Sequence, residues 1–232
     1  MTRNRIALVL GCTLLMAAVQ GFGAPQAGTS LEAALAAMDK ASVSFKGLTA
    51  EIRKQSHTDV VDKNDVESGT ITVKRVKPKD TRILIKFTDP AEKYVSIGDG
   101  KIRMYTPKSA EAQEGNLGKS KDMVNEVMLL AFGSNSTDLK AAYTVKLGGA
   151  DTVNGEKATR LETVPKSPDL LKYVKRCDLW ISENGMVLQQ KLYETGGDYV
   201  LSTYARMKME PNLPDSAVRL DIPKNVKPTK IK

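Results

Sequence analysis

The sequence has 232 residues, of which 27% are charged and 41% hydrophobic, and its formal net charge is +8. This length accommodates one domain with a sizeable core, or one domain behind a targeting segment, and the composition is that of an ordinary soluble protein. The basic residues mostly alternate with apolar ones in strand-like runs, and no nucleic-acid-binding module is recognisable. Solvated strand faces are therefore favoured over a nucleic-acid surface.

The amino-terminal segment has the pattern of an export signal. Arg3 and Arg5 precede an apolar run from Ile6 to Val19, and small residues follow up to Ala24. The run is short for a membrane span, and its flanks are those of a Sec signal peptide. We therefore predict a signal peptide over residues 1–24, a single mature domain over 25–232, and a periplasmic location.

A second interpretation of the leader stays open. Leu8–Cys12 reads Leu-Val-Leu-Gly-Cys and resembles a lipobox, which would make Cys12 a lipidated amino terminus. Few apolar residues precede Cys12, and the apolar run continues well beyond it. Export without a lipid anchor is therefore favoured, and an anchored protein is the alternative.

The mature chain opens with a helix pattern. Thr29 and Glu32 have the spacing of a capping box, and Leu31, Leu35 and Met38 then form one apolar stripe. Phe45 to Gln55 follows as a first long strand. The helix is predicted to pack closely against a sheet, because most of its other positions are alanine.

Four strand-like runs follow between Glu67 and Pro107. Their apolar residues recur at every second position, as in half-buried antiparallel strands. The positions assigned to the apolar face are Ile71, Val73, Ile83, Ile85 and Phe87. Arg75 has the parity of Ile71 and Val73, so its guanidinium is predicted to point toward the apolar side. Asp99-Gly100 predicts a hairpin with a type I′ turn.

A second helix is predicted at Ser120–Phe132, after a polar connection, with Gly133 able to end it. This helix is too apolar to lie free on a surface. It is either an ordinary core helix or a lid over a hydrophobic cavity, and the residues expected to line that cavity are Met123, Val127, Met128 and Leu130. Strand runs and hairpin signals then continue to Val218–Ile222, which gives about eleven antiparallel strands and two helices.

Residues for catalysis or metal binding are scarce. His57 is the one histidine and lies in a polar hairpin, where a solvated loop residue is the expected role. No nucleophile and base are recognisable as a pair, and the glycine-rich segments lack the P-loop or dinucleotide pattern. Cys177 shares the parity of Leu179 and Ile181, which predicts a buried thiol. We therefore expect a binding protein that has no catalytic residues, metal or cofactor.

Several short motifs occur in an order that resembles one known family. They are Val73-Lys74-Arg75, Asp99-Gly100-Lys101, Tyr105-Thr106-Pro107, Asp178–Ile181, Asn184-Gly185, Gly197-Asp198-Tyr199 and Asp221-Ile222-Pro223. In order and spacing they resemble the periplasmic lipoprotein carrier family LolA, and the resemblance covers nearly the whole mature chain. It implies a mainly β (α+β) fold, an unclosed antiparallel barrel whose concave face is covered by helices.

The resemblance also implies a function. That family shields the acyl chains of lipoproteins between an inner-membrane exporter and an outer-membrane acceptor, and the arginine matched by Arg75 holds the lid shut. Met104 stands where aromatic residues are common in the family, so a cavity lined by aliphatic and methionine side chains is expected. The expected protein is a monomeric carrier that binds no nucleic acid. Two alternatives remain. One is an outer-membrane receptor anchored through Cys12. The other is a lipoprotein sensor like the amino-terminal domain of RseB, and the lack of a second domain counts against it.

Overall fold

The structure is a computed structural model and describes residues 30–77, 80–117 and 132–231. Its helices are α1 (Leu31–Ser44), α2 (Ser136–Ala142) and α3 (Pro168–Leu171). Its strands are β1 (Gly47–Thr58), β2 (Lys63–Lys77), β3 (Asp80–Asp89), β4 (Lys93–Gly98), β5 (Lys101–Thr106), β6 (Glu111–Asn116), β7 (Tyr143–Val153), β8 (Glu156–Pro165), β9 (Val174–Ser182), β10 (Val187–Glu194), β11 (Tyr199–Met209) and β12 (Thr229–Lys230). Within these ranges, no helix is long and apolar enough to cross a membrane.

The twelve strands form one sheet in the order β12-β6-β5-β4-β3-β2-β1-β11-β10-β9-β8-β7. All neighbours are antiparallel except β12, which pairs in parallel with β6. No pairing among the described residues joins β7 to β12, so the sheet is not closed. The predicted fold class, an unclosed antiparallel β-structure accompanied by helices, is confirmed.

Two local predictions are wrong, one at the β6 edge and one near the carboxyl terminus. The polar connection predicted after Pro107 contains β6, which ion pairs hold against β5 although it has little apolar character: Glu114 contacts Lys101 at 2.7 Å and Arg103 at 2.6 Å. The strand predicted at Val218–Ile222 is instead a 3₁₀ turn, Asp215–Val218, followed by irregular chain. The basic carboxyl-terminal segment contains β12, which pairs with β6.

The main core lies on the face of the sheet that carries Ile71 and Val73, which we call the inner face. Helix α1 contributes the buried side chains Ala34, Leu35 and Met38 to this core. The helix begins after Ser30, whose hydroxyl accepts a hydrogen bond from the Ala33 amide at 3.0 Å. Ser30 is therefore the capping residue. Thr29, for which that role was predicted, lies outside the described residues.

A smaller core lies on the opposite, outer face of β3–β6. Leu84 and Tyr105 are buried there against Leu220, which belongs to the irregular segment after β11. An ion pair between Lys74 of β2 and Asp215 helps to hold that segment on the sheet. This second covering explains why Leu84, which follows Ile83 in the strand and so points to the opposite face, is only 4% exposed.

The predicted hairpin turns differ in their backbone conformation. Asp99-Gly100 and Asn154-Gly155 have φ values of 54° and 70°, and of 51° and 83°, which confirms the positive φ expected at both turn positions. At Asn184-Gly185 only the glycine has a positive φ, 77°. A Cβ on Gly185 would lie 2.1 Å from the carbonyl oxygen of Ala37 in α1. Glycine there lets this hairpin approach the helix backbone.

Candidate functional site

Arg75, near the end of β2, connects three separate segments through backbone carbonyls. Its Nη1 donates to the Ser42 carbonyl at 3.0 Å and to the Phe45 carbonyl at 3.4 Å, and its Nη2 donates to the Gly133 carbonyl. The guanidinium carbon also lies 5.1 Å from the centre of the Phe45 ring. Arg75 thus joins the last turn of α1, the α1–β1 connection and the segment before α2. We call this arrangement the Arg75 latch.

The electrostatics of the latch follow from its position. Burial lowers the pKa of Arg75, and the charge of Asp138 partly offsets that effect. Because a guanidinium stays protonated in proteins, its donors must find acceptors when it leaves water. Among the described residues, no carboxylate lies within ion-pair distance of Arg75. The acceptors are therefore carbonyls, and the Ser42 carbonyl belongs to the helix end whose acceptors lack intrahelical donors.

Gly133 gives the latch its close approach. Its φ is 75°, and a Cβ there would lie 2.5 Å from Nη2 of Arg75 and 2.4 Å from the Phe45 ring. The adjacent Phe132 is buried at 4% and meets the ring of Tyr204 edge-on, with the ring centres 4.8 Å apart. Any larger residue at position 133 would displace the arginine or the ring.

The apolar positions predicted on β2 and β3 come together on the inner face. Cross-strand pairs bring Ile71 opposite Ile85 and Val73 opposite Ile83, and Phe87 lies opposite Gly69. Four of the five predicted side chains are less than 5% exposed, and Ile85 is partly buried. Arg75 stands at the end of this apolar surface.

Met104 lies on the same face, nearer the sheet edge. It pairs with Val95, which in turn pairs with Ile85, so the three residues form one row across β5, β4 and β3. Its side chain is half-buried. The predicted lining residues Met123, Val127, Met128 and Leu130 lie outside the described residues.

Sequence reasoning missed a charged cluster on the inner face. Lys54 and Glu67 are cross-strand partners, with Nζ and Oε2 3.1 Å apart, and Nζ of Lys93 contacts the other carboxylate oxygen. Both ammonium groups lie over the ring of Phe87, at 5.9 Å and 5.1 Å from its centre. Strand parity could have revealed the cluster, because Lys54 has the parity of Ala50 and Ile52.

The Lys54–Glu67–Lys93 cluster is partly open to solvent. The exposed side-chain fractions are 30% for Lys54, 21% for Glu67 and 33% for Lys93. Burial raises the pKa of Glu67, but hydrogen bonds from Lys93 and Lys54 outweigh that effect and hold the pKa below its usual value. The carboxylate is therefore charged near neutral pH, and two positive charges share it.

A second carboxylate is buried on the outer face, at Asp178 of β9. Its Oδ1 lies 3.0 Å from Nε of Arg176, and its Oδ2 lies 3.4 Å from Nη1 of Arg160. Burial raises the pKa of Asp178, and these two arginines partly oppose the increase. Within the described part of the chain, no group of three or more His, Cys, Asp or Glu side chains could hold a metal ion.

Comparison with known proteins shows similarity at the level of structure alone. No family model and no curated protein matches the sequence. An uncharacterised conserved protein of Thermus thermophilus superposes with a TM-score of 0.51 at 10% identity, over 85% of this chain and 97% of that one. MucB superposes with a TM-score of 0.49 at 14% identity, over 83% of this chain and 64% of that one. A LolA-superfamily protein of Nitrosomonas europaea superposes with a TM-score of 0.40 at 12% identity, over 83% of this chain and 99% of that one.

The chain shares its overall fold with the Thermus thermophilus protein. The unclosed antiparallel architecture that the resemblance implied is confirmed. At 10% identity, this similarity establishes the fold alone and leaves the activity to be inferred from the site. The chain spans 64% of the length of MucB, so the functions of that whole protein do not transfer with the fold.

Proposed function

We propose that this protein is a periplasmic carrier that binds the acyl chains of lipoproteins and moves them from the inner to the outer membrane. The observation that carries the proposal is the Arg75 latch, a guanidinium at the end of an apolar sheet face that holds the Gly133 segment by a backbone carbonyl. Gly133 directly follows the segment for which a lid was predicted. A latch at that point could control access to the inner face.

The inner face suits an aliphatic ligand. Its central residues are apolar, and each CH₂ group removed from water contributes about 0.8 kcal/mol, so a partly buried acyl chain would bind well without specific hydrogen bonds. Ile71 and Val73 are 3% and 0% exposed in this structure. A ligand could reach them only after a covering element moved aside. We therefore interpret this conformation as a closed state, which must open before the carrier can bind its ligand.

The proposal names partners on both sides of the transfer. An inner-membrane exporter would supply the lipoprotein, and an outer-membrane acceptor would receive it from the monomeric carrier. Return to the closed state would favour release, because the apolar face would then be covered by the protein itself. The role is binding rather than catalysis.

The test is purification from the periplasm followed by mass spectrometry of the copurifying molecules. Lipoproteins or their acylated amino-terminal peptides should be recovered, and the loaded carrier should pass them to outer-membrane vesicles. Recovery of no acylated molecule, together with failure to bind a fluorescent acyl probe, would contradict the proposal. Intact-mass measurement of the membrane fraction would separate the carrier from a receptor anchored through Cys12.

A further inference from the structure

We propose that Lys54 and Lys93 form a subsite for the anionic headgroup of an amphiphile whose aliphatic chain lies along the inner face. This inference rests on the proposed function and extends it, because it names the ligand chemistry at one end of the face. The Lys54–Glu67–Lys93 cluster occupies inner-face positions at which the strand pattern calls for apolar residues.

The inner face changes character along β2. Arg75 stands near one end, the apolar residues Val73 and Ile71 follow, and Glu67 lies eight positions before Arg75. At about 3.3 Å per residue, the latch and the cluster are roughly 26 Å apart along the strand. The apolar surface between them is only 0–4% exposed at its central residues, whereas the charged cluster is 21–33% exposed. An amphiphile has the same sequence of parts, an apolar chain that ends in a solvated polar head.

The charge balance of the cluster favours an anion. Two ammonium groups share one carboxylate, so the cluster has a net charge of about +1 at neutral pH. Each ammonium has three donors, and Glu67 is the only acceptor that either lysine contacts among the described residues. Donors therefore remain for the carboxylate or phosphate of a ligand. Such charge-assisted hydrogen bonds are stronger than neutral ones.

Phe87 keeps the two lysines on the inner face. Its ring is 2% exposed and lies beneath both ammonium groups, which supplies a cation–π contact and an apolar floor for their methylene stems. The ring belongs to the same apolar row as Ile83 and Ile85. The aliphatic chain of a ligand that lies along these side chains would therefore end beside the two lysines.

The test compares matched probes that differ only in the headgroup: a fluorescent long-chain carboxylate, its methyl ester, and an alkyl phosphate of the same length. The parent protein should bind both anionic probes at least tenfold more tightly than the ester, and added salt should reduce this preference. Lys54→Met/Lys93→Met should remove the preference and keep ester binding. Comparing the carboxylate with the phosphate identifies which anion the site prefers.

Two further variants guard against effects of misfolding. Glu67→Gln leaves both lysines in place and removes their internal partner, so it should increase the preference for anionic probes. Lys86→Met removes a lysine from the same strand as Phe87 but on the outer face, where its Nζ lies 5.9 Å from the Tyr94 ring centre. It should leave the preference unchanged.

The outcomes separate this inference from the proposed function. Equal affinity of the parent for ester and anionic probes would overturn the headgroup subsite and leave acyl-chain binding in place. An unchanged preference in Lys54→Met/Lys93→Met would overturn the subsite as well. If the parent binds no aliphatic probe of any kind, both proposals are wrong.

Discussion

Replacement of Arg75 by leucine is the sharpest perturbation of the proposed carrier. Leucine places an apolar side chain at the end of β2 and removes the donors to the carbonyls of Ser42, Phe45 and Gly133. The Gly133 carbonyl directly follows, in sequence, the segment predicted to be a lid. Loss of this hydrogen bond should therefore favour the open, ligand-accepting state over the closed one.

The expected magnitude follows from the hydrogen bond between Arg75 and the Gly133 carbonyl. One charge-assisted hydrogen bond contributes about 1.5–3 kcal/mol, which corresponds to a shift of roughly 10- to 150-fold in the balance between closed and open states. An acyl probe should accordingly bind to Arg75→Leu at least as tightly as to the parent. Transfer to an acceptor should fail, because the closed state that favours release has been weakened.

Probe affinity by fluorescence titration and transfer to acceptor vesicles are the two measurements. Arg75→Lys keeps the charge but loses the fork of donors, so it should fall between the parent and the leucine variant. Lys77→Leu, an exposed position farther along β2, controls for loss of a positive charge. If Arg75→Leu releases lipoprotein as well as the parent does, the latch has no role in transfer and Arg75 only stabilises the fold.

Two further predictions concern stability. Gly185→Ala should lower the free energy of unfolding by more than about 2 kcal/mol in urea titration, because the new Cβ would collide with the Ala37 carbonyl and the residue has a positive φ. Gly155→Ala is the control: its φ is similar but the space around it is open, so it should lower the free energy of unfolding by only about 1–2 kcal/mol. Equal losses would show that the contact with α1 is unimportant. Glu67→Gln should be less stable than the parent at pH 7, and the difference should shrink as pH falls below about 4.5, because a carboxyl whose folded pKa is lowered stabilises only while it is ionised. A difference that stays constant from pH 7 to 3 would contradict that pairing.

Much of the sheet could be predicted because apolar residues recur at every second position in several of its strands. Ile71, Val73, Ile83 and Phe87 follow the period of two, and positive-φ turns such as Asp99-Gly100 set the hairpin register. Strand β6 was not predicted, because ion pairs rather than an apolar face hold it in place. The cover over Leu84 could not be predicted either, since it comes from a segment more than a hundred residues away.

Only part of the candidate site could be predicted from the sequence, for a similar reason. Parity predicts the direction in which Arg75 points, but its acceptors are carbonyls, and every residue has a carbonyl. The positions of Ser42 and Gly133 relative to Arg75 are set by tertiary packing alone. The Lys54–Glu67–Lys93 cluster was missed because Lys54 and Glu67, considered separately, look like ordinary solvated strand residues. The cross-strand register puts them on the inner face.

The latch and the charged cluster should act independently, since they share no contact and lie roughly 26 Å apart along β2. Substitutions that far apart normally have additive effects on binding free energy. Arg75→Leu should therefore change affinity for the carboxylate and the ester probes by the same factor, whereas Lys54→Met/Lys93→Met should change only their ratio. In the combined variant both changes should appear undiminished. A ratio that responds to Arg75→Leu would mean that opening of the face also repositions the lysines, and the latch and headgroup site would then form one mechanism.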